Sequence, residues 1–460
     1  MVAGAAQQTE AMSRRSSKNS RAGAALLAAS AVGAVNTWNA RKPLSRSGWS
    51  GVAAFFAGWL TSELPWHAVG AQAIGTAGFA RKGALGSRAG RAALGLSAAS
   101  WVTLVTLDRQ ARKAGPIFDT AIEDAFAPFR ADPATTDMIA AAEPVEITRK
   151  RIAMGPFTQY RRRYVRRGDG NLSYGDAGRR NRFDIWRSAD LRADANAPVL
   201  LQVHGGAWVV GNKQQQATPL MAHLCDRGWV CVSINYRLSP RATWPDHIVD
   251  VKRAIAWIKA NIADYGGDPD FVAITGGSAG GHLSSLAALS PNEPRFQPGF
   301  ESADTSLVAA VPFYGAYDFT NRDRTGRQDM AEFVAERVVK LPLDKHRDVF
   351  DLASPMSWVN ADAPPMFMVH GTNDSLIPVE QGRSFVAMLR AVSRNPVAYA
   401  ELPGTQHAFE VFDSPRTLLS AAAVTRFLET VRRMRRPGPS QAAEPASAAT
   451  ESDRAPAPTR

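Results

Sequence analysis

The chain has 460 residues, 45% hydrophobic and 21% charged, enough for one large core with length to spare for a second module. Its net charge of +12 would suit nucleic acid, but many of the basic residues lie before residue 190 or after residue 430, and no recognised nucleic-acid-binding motif accompanies them. Two cysteines, Cys225 and Cys231, exclude a disulfide framework, and their spacing lacks a zinc-ligand pattern. They read as buried small hydrophobes, and neither a metal nor an organic cofactor is implied.

Residues 1–21 are polar and basic (Arg14, Arg15, Lys18, Arg21) and are expected to be disordered. Residues 22–40, 47–62, 64–80 and 92–107 then lack Asp, Glu, Lys and Arg altogether, and are rich in Ala and Gly. Most are shorter than the roughly 20 apolar residues of a spanning helix. Three readings fit: a membrane-embedded or membrane-associated helical module, soluble helices packed on a core, or a cleaved signal around residues 14–31. Trp49, Trp59, Trp66 and Trp101 near segment ends favour the first, since Trp prefers membrane interfaces. Membrane-associated and cytoplasmic locations both follow more readily than secretion. Residues 108–145 carry helical periodicity at Ile117, Phe118, Ile122 and Phe126, and form a connecting helix. The expected division is thus a basic tail at 1–21, an apolar helical module at 22–140, a catalytic domain at 141–436 and a disordered tail at 437–460, a stretch rich in Pro, Ala, Ser and Glu.

The catalytic domain opens with a basic stretch, Arg149, Lys150, Arg151, Arg161, Arg162, Arg163, Arg166 and Arg167, readable as a solvated connector, a lipid-headgroup site or a nucleic-acid site. Apolar runs at 183–186, 198–203, 230–235, 271–275, 307–313, 366–370 and 397–402 read as strands. Helical stretches at 216–227, 246–263, 279–289 and 381–392 separate several of them, which predicts a doubly wound, mostly parallel α/β sheet. A charged segment at 321–351 interrupts this rhythm and is read as a partial cap over a pocket.

The informative motif is Gly276-Gly277-Ser278-Ala279-Gly280-Gly281, between a strand and a helix. A bare G-x-S-x-G arises by chance roughly 0.2 times in a chain this long, so its context must carry the argument. Serine-based acyl transfer needs a base, a carboxylate to orient it, and N–H donors for the developing oxyanion. Asp374 lies in the turn after the 366–370 strand, and His407 lies after the 397–402 strand as the sole histidine beyond Asp374. The order serine, acid, base at successive strand ends is the one such a sheet requires. Ala279, directly after the serine, and Gly205 and Gly206, after the 198–203 strand, are the expected oxyanion donors. His204 is expected to brace that loop, Trp208 either lines the substrate pocket or packs under the loop, and Tyr236 to Pro240 with Asp250 are expected to be architectural.

HGGAW, YRLSP, GGDP, GGSAGG, HGTND and GTQHAF occur in this order between about residues 170 and 430. Together they resemble the hormone-sensitive-lipase-like branch of α/β-hydrolases, with its bacterial family IV esterases and its acetylesterase and kynurenine-formamidase-like members. The resemblance implies Ser278, Asp374 and His407 as a triad, with Gly205, Gly206 and Ala279 as the oxyanion hole. Two departures are visible: Ala207 stands where many members have a third glycine, and Gly277 where many carry Asp or His. The implied activity is serine carboxylic-ester hydrolysis on a small-molecule or lipid ester, with a membrane surface as a further partner and no nucleic acid. An arylformamidase-like amidase and a catalytically silent binding protein are the alternatives.

Overall fold

A computed structural model describes residues 2–130 and 138–435, so the tail expected at 437–460 lies outside the described residues. The N-terminal part is helical: α1 (Val2–Arg41), α2 (Gly48–Glu63), α3 (Pro65–Arg81), α4 (Arg88–Arg112) and α5 (Gly115–Phe126). Residues 2–21, expected to be disordered, instead continue α1. Their Ala, Gln, Met, Lys and Arg are strong helix formers, no proline interrupts them, and the exposed pair Arg14–Glu10 spans one turn. Once the packed half of α1 is formed, each further residue adds a hydrogen bond without a new nucleation step.

Helix α1 packs along α4, and small residues let the backbones approach: Ser30 and Ser97 hydroxyls meet at 2.9 Å in the buried contact. One described stretch, Arg88–Phe129, is long and apolar enough to cross a membrane by length and composition, and 33% of its apolar window is buried within the protein. Helix α5 behaves differently from the module to which the sequence assigns it. It buries Phe118, Ile122 and Phe126 against the catalytic core, with Phe118 edge-on to Phe367 at 6.3 Å and Phe126 against Phe427 at 5.6 Å. By its packing α5 thus joins one of the two core clusters of the sheet.

Two short helices follow, α6 (Arg149–Met154) and α7 (Arg161–Tyr164). Part of the basic stretch is engaged within the protein, while Arg149, Lys150, Arg162 and Arg167 stay exposed. Arg151 reaches Asp413 at 3.3 Å, Arg161 reaches Asp184 at 2.8 Å, and Arg166 donates to the carbonyls of Ser188 and Ala189. These arginines pin the connector to the sheet.

The sheet has eight strands: β1 (Leu172–Ser173), β2 (Arg182–Trp186), β3 (Ala197–Val203), β4 (Val230–Ile234), β5 (Gly267–Gly277), β6 (Ala309–Phe313), β7 (Met366–Gly371) and β8 (Val397–Leu402). Their order is β1-β2-β4-β3-β5-β6-β7-β8, antiparallel at β1/β2 and β2/β4 and parallel from β4 to β8. Both faces are covered. Val199, Leu201 and Val203 of β3 enter one core cluster while Leu200 enters the other, as the two-residue period of a strand demands. The crossovers are α8 (Thr218–Cys225), α9 (Asp246–Asn261), α10 (Ala279–Leu289), α11 (Gln328–Phe333), α12 (Arg347–Ala353) and α13 (Val379–Val392), and α14 (Pro415–Arg435) closes the described chain. Seven strands and four helices stand where the sequence pattern put them. Helix α14 was not among them, although Leu418, Ala421, Val424, Phe427, Leu428 and Val431 repeat at helical spacing and are buried. Cys225 and Cys231 are free and buried.

Candidate active site

Strand β5 ends in two glycines and turns directly into α10, which leaves Ser278 at φ 60° and ψ −120°. A non-glycine residue held there costs on the order of 1–3 kcal/mol. The surroundings impose it: Ser278 N–H donates to Phe313 O at 3.0 Å, and a Cβ on Gly276 would come within 2.5 Å of Val203 O. Ser278 remains partly exposed at the carboxyl end of the sheet.

Asp374 and His407 follow β7 and β8, and the parallel pairing of these strands brings their loops together. His407 Nδ1–H donates to Asp374 Oδ2 at 2.6 Å. The other carboxylate oxygen accepts the N–H groups of Leu376 and Ile377, both at 2.8 Å, and His370 Nε2 stands 3.3 Å from Oδ2. Burial alone would push the Asp374 carboxyl up, but the charge and hydrogen bond of His407 with the hydrogen bond of His370 outweigh it and hold the group well below the usual carboxylate range. Gln406, which the motif reading passed over, staples the two loops. Its Oε1 accepts from Ser375 N–H and His407 N–H, both at 2.9 Å. Among the described residues no hydrogen bond joins Ser278 Oγ to His407; the ring is held through Asp374 instead.

Tyr314 explains the glycine before the serine. Its ring lies 4.3 Å from the His407 ring, centroid to centroid, and a Cβ on Gly277 would stand 2.7 Å from its hydroxyl. The Tyr314 hydroxyl donates to buried Glu410, whose carboxyl is pushed up by burial. Any larger residue at 277 would displace the ring that supports the imidazole. The second departure, Ala207, sits in a loop of left-handed residues with φ of 118° at Gly206, 51° at Ala207 and 60° at Trp208.

That loop corrects one expected donor. Gly205 N–H is occupied by Gln216 Oε1 at 2.6 Å, whereas the N–H groups of Gly206 and Ala207 meet no acceptor among the described residues. Successive backbone N–H groups left free in a tight turn can form a concavity that cradles an anion. Ala279, first residue of α10, has no helical acceptor for its own N–H. Of the expected trio, Gly206 and Ala279 are available and Gly205 is not. Trp208, weighed as a substrate contact, is 2% exposed and donates from Nε1 to His282 Nδ1 at 3.1 Å, so it packs under the loop. His204 is buried, donates from Nδ1 to Gly205 O at 2.7 Å and is pushed down to about 4 by burial, so it braces the loop as a neutral ring. Arg237 and Asp250 form a bidentate pair at 2.8–3.0 Å under the YRLSP turn. Among the described residues no group of three or more His, Cys, Asp or Glu is arranged to hold a metal.

The helical module reaches this site, which no motif announces. Phe55 of α2 meets the His407 ring edge-on at 5.8 Å, and Trp59 stacks on Phe412 at 5.1 Å. Asn373, beside Asp374, donates to Arg41 O at 2.8 Å, and Gly48 N–H donates to Asp329 Oδ2 at 2.7 Å in the segment read as a cap.

A family model described as BD-FAE matches residues 183–389. The chain is 48% identical over 414 residues to a probable carboxylic ester hydrolase, LipM, of Mycobacterium tuberculosis strain H37Rv, covering 88% of this chain and 93% of that one. The chain belongs to this family of α/β-hydrolase esterases. The esterase is also 44% identical to esterase LipQ of the same strain, covering 82% of this chain and 84% of that one. Among solved structures, a truncated carbohydrate esterase from gut microbiota has a TM-score of 0.49 at 24% identity, covering 57% of this chain and 95% of that one. With 88% of its length aligned to LipM, the esterase shares more than the hydrolase sheet: the similarity extends into the helical module.

Proposed function

We propose that this esterase cleaves carboxylic esters through an acyl-enzyme on Ser278, with His407 as base and acid and Asp374 as its orienting carboxylate. The observation that carries the reading is the 2.6 Å Asp374–His407 pair, delivered from two neighbouring strand ends toward a serine held in a strained turn. Neutral His407 takes the Ser278 proton as Oγ attacks the ester carbonyl. Ala279, Gly206 and Ala207 then offer N–H groups to the oxyanion. His407 returns the proton to the departing alkoxide, and water repeats the sequence to release the acid. Asp374 keeps the proton of the imidazole on Nδ1 and stabilises the imidazolium.

Ser278→Ala tests this directly. It retains the far-ultraviolet circular dichroism of the parent and loses p-nitrophenyl ester turnover by about 10⁴-fold or more, together with fluorophosphonate labelling. Unchanged turnover overturns the mechanism.

We further infer that the helical module lies against a lipid surface. Large apolar side chains face outward on it, including Trp49 (88% exposed), Ile74 (76%) and Val102 (67%), and the exposed start of α1 carries Arg14, Arg15, Lys18 and Arg21. The ester and the lipid surface are thus presented to the same molecule from adjacent parts of the fold.

A further inference from the structure

In the mechanism above, His407 protonates the departing alkoxide, so the alcohol half of the ester must lie within hydrogen-bond reach of imidazole Nε2 while the acyl half stays on Ser278. A ring that packs on the imidazole is therefore a candidate wall for the alcohol. Two rings do so: Tyr314 from the core, and Phe55 from α2, whose ring plane stands 82° from that of the imidazole. Phe55 is 5% exposed, while its neighbours Phe56 and Leu60 are 52% and 43% exposed, so α2 runs from a closed edge at His407 to an open apolar flank.

Helix α2 is held firmly enough to act as a wall. Glu63, at its last turn, pairs with Arg416 at 2.8 Å with both side chains buried, and also accepts from Ser414 Oγ at 2.7 Å. Asn39 of α1 donates to Ala54 O at 2.7 Å. Trp59 stacks on both Phe55, at 5.6 Å, and Phe412.

We propose that Phe55 is the specificity-determining residue on the alcohol side: it caps the leaving-group space beside His407, limits the size of the alcohol, and with Phe56 and Leu60 selects esters of apolar alcohols. The proposal rests on the role of His407 as acid given above. It concerns acylation alone, because the alcohol has left before water attacks the acyl-enzyme.

The test compares the full chain with Phe55→Ala on three readouts: acetate esters of ethanol, butanol and 1-naphthol; p-nitrophenyl esters from acetate to hexanoate; and deacylation of the acetyl-enzyme after a burst. Phe55→Ala raises the ratio of kcat/KM for 1-naphthyl over ethyl acetate by about tenfold, since methylene-sized changes of fit are worth about 10- to 200-fold. The acyl series and the deacylation rate stay as in the parent. Phe55→Trp fills the same space and shifts the alcohol ratio the other way, which keeps the test decisive should the alanine variant fold poorly. A shift in the acyl series, or an equal fall in acylation and deacylation, overturns the proposal, the first by placing α2 on the acyl side and the second by reducing Phe55 to a support for His407. An unchanged alcohol ratio in a chain whose Ser278 still labels with fluorophosphonate overturns it too and leaves the hydrolytic mechanism standing. Absence of labelling in the parent overturns both.

Discussion

Replacing Glu63 by alanine removes the acceptor from a guanidinium that has little else to hold. Arg416 is 1% exposed at its side chain, its Nη1 donates to Glu63 Oε1, and its Nη2 has no hydrogen-bond partner among the described residues. Ser414 Oγ would lose its bond to Glu63 but keeps Thr417 Oγ1 at 3.0 Å, so the cost falls mainly on the arginine. Removing one member of a buried ion pair costs about 3–5 kcal/mol, because the remaining charge stays desolvated. At about 2–4 °C per kcal/mol for domains of hydrolase size, the melting temperature of the full chain falls by about 6–20 °C. Differential scanning calorimetry measures it, and the double variant Glu63→Leu with Arg416→Leu should recover much of the loss, since apolar replacement of both charges is often neutral. Because the pair joins α2 to α14 across 353 positions of sequence, a melting temperature within 2 °C of the parent would refute the docking of the helical module on the catalytic domain.

The remaining expectations concern pH and lipid. Burial pushes His204 down to about 4 and His247 and His282 to about 3, whereas in the unfolded chain each titrates near the ordinary value of about 6.5. The unfolded state therefore binds the extra protons, so stability is complete above about pH 6.5 and is lost as pH falls toward the folded values, by about 1.4 kcal/mol per unit for each ring. Melting temperatures should drop between pH 7.5 and pH 5.0, and equal values at the two would contradict the neutral, buried state of these histidines. For the lipid surface, the purified chain should sediment with vesicles containing 30% anionic lipid and less so after Trp49→Ser with Ile74→Ser; sedimentation with neither anionic nor neutral vesicles would remove the membrane from the proposal.

Much of the catalytic domain was legible because its constraints are local. A parallel strand buried on both faces must be a short apolar run, as 199–203 and 271–275 are, and the crossover between neighbours must be helical. The elbow was legible for the same reason, since Gly276 and Gly280 answer to backbone approaches within a few residues of the serine and one neighbouring strand. Where the reading failed, a partner from elsewhere intervened. Gly205 was expected to donate to the oxyanion, and the Gln216 side chain takes its N–H. Of the arginines of 149–167, Arg151 and Arg161 are also tied down by distant partners, Asp413 and Asp184, while others of the stretch stay exposed as a solvated connector would. Disorder at 2–21 was inferred from polarity, which does not report helix propensity.

By itself the sequence singled out Ser278, Asp374 and His407 as the candidate nucleophile, acid and base in a strand-ordered series, together with the sheet that would carry them and the resemblance that the relatives bore out at the level of family. The tertiary structure alone decided that Tyr314 occupies the space Gly277 leaves, that Trp208 lies under the loop instead of beside substrate, and that Phe55 and Glu63 bring the helical module to within one ring of His407. The division has a physical reason. Period, turn chemistry and glycine placement record forces acting over a few residues, whereas which apolar ring or buried charge meets which is settled only when segments hundreds of residues apart share one desolvated interior.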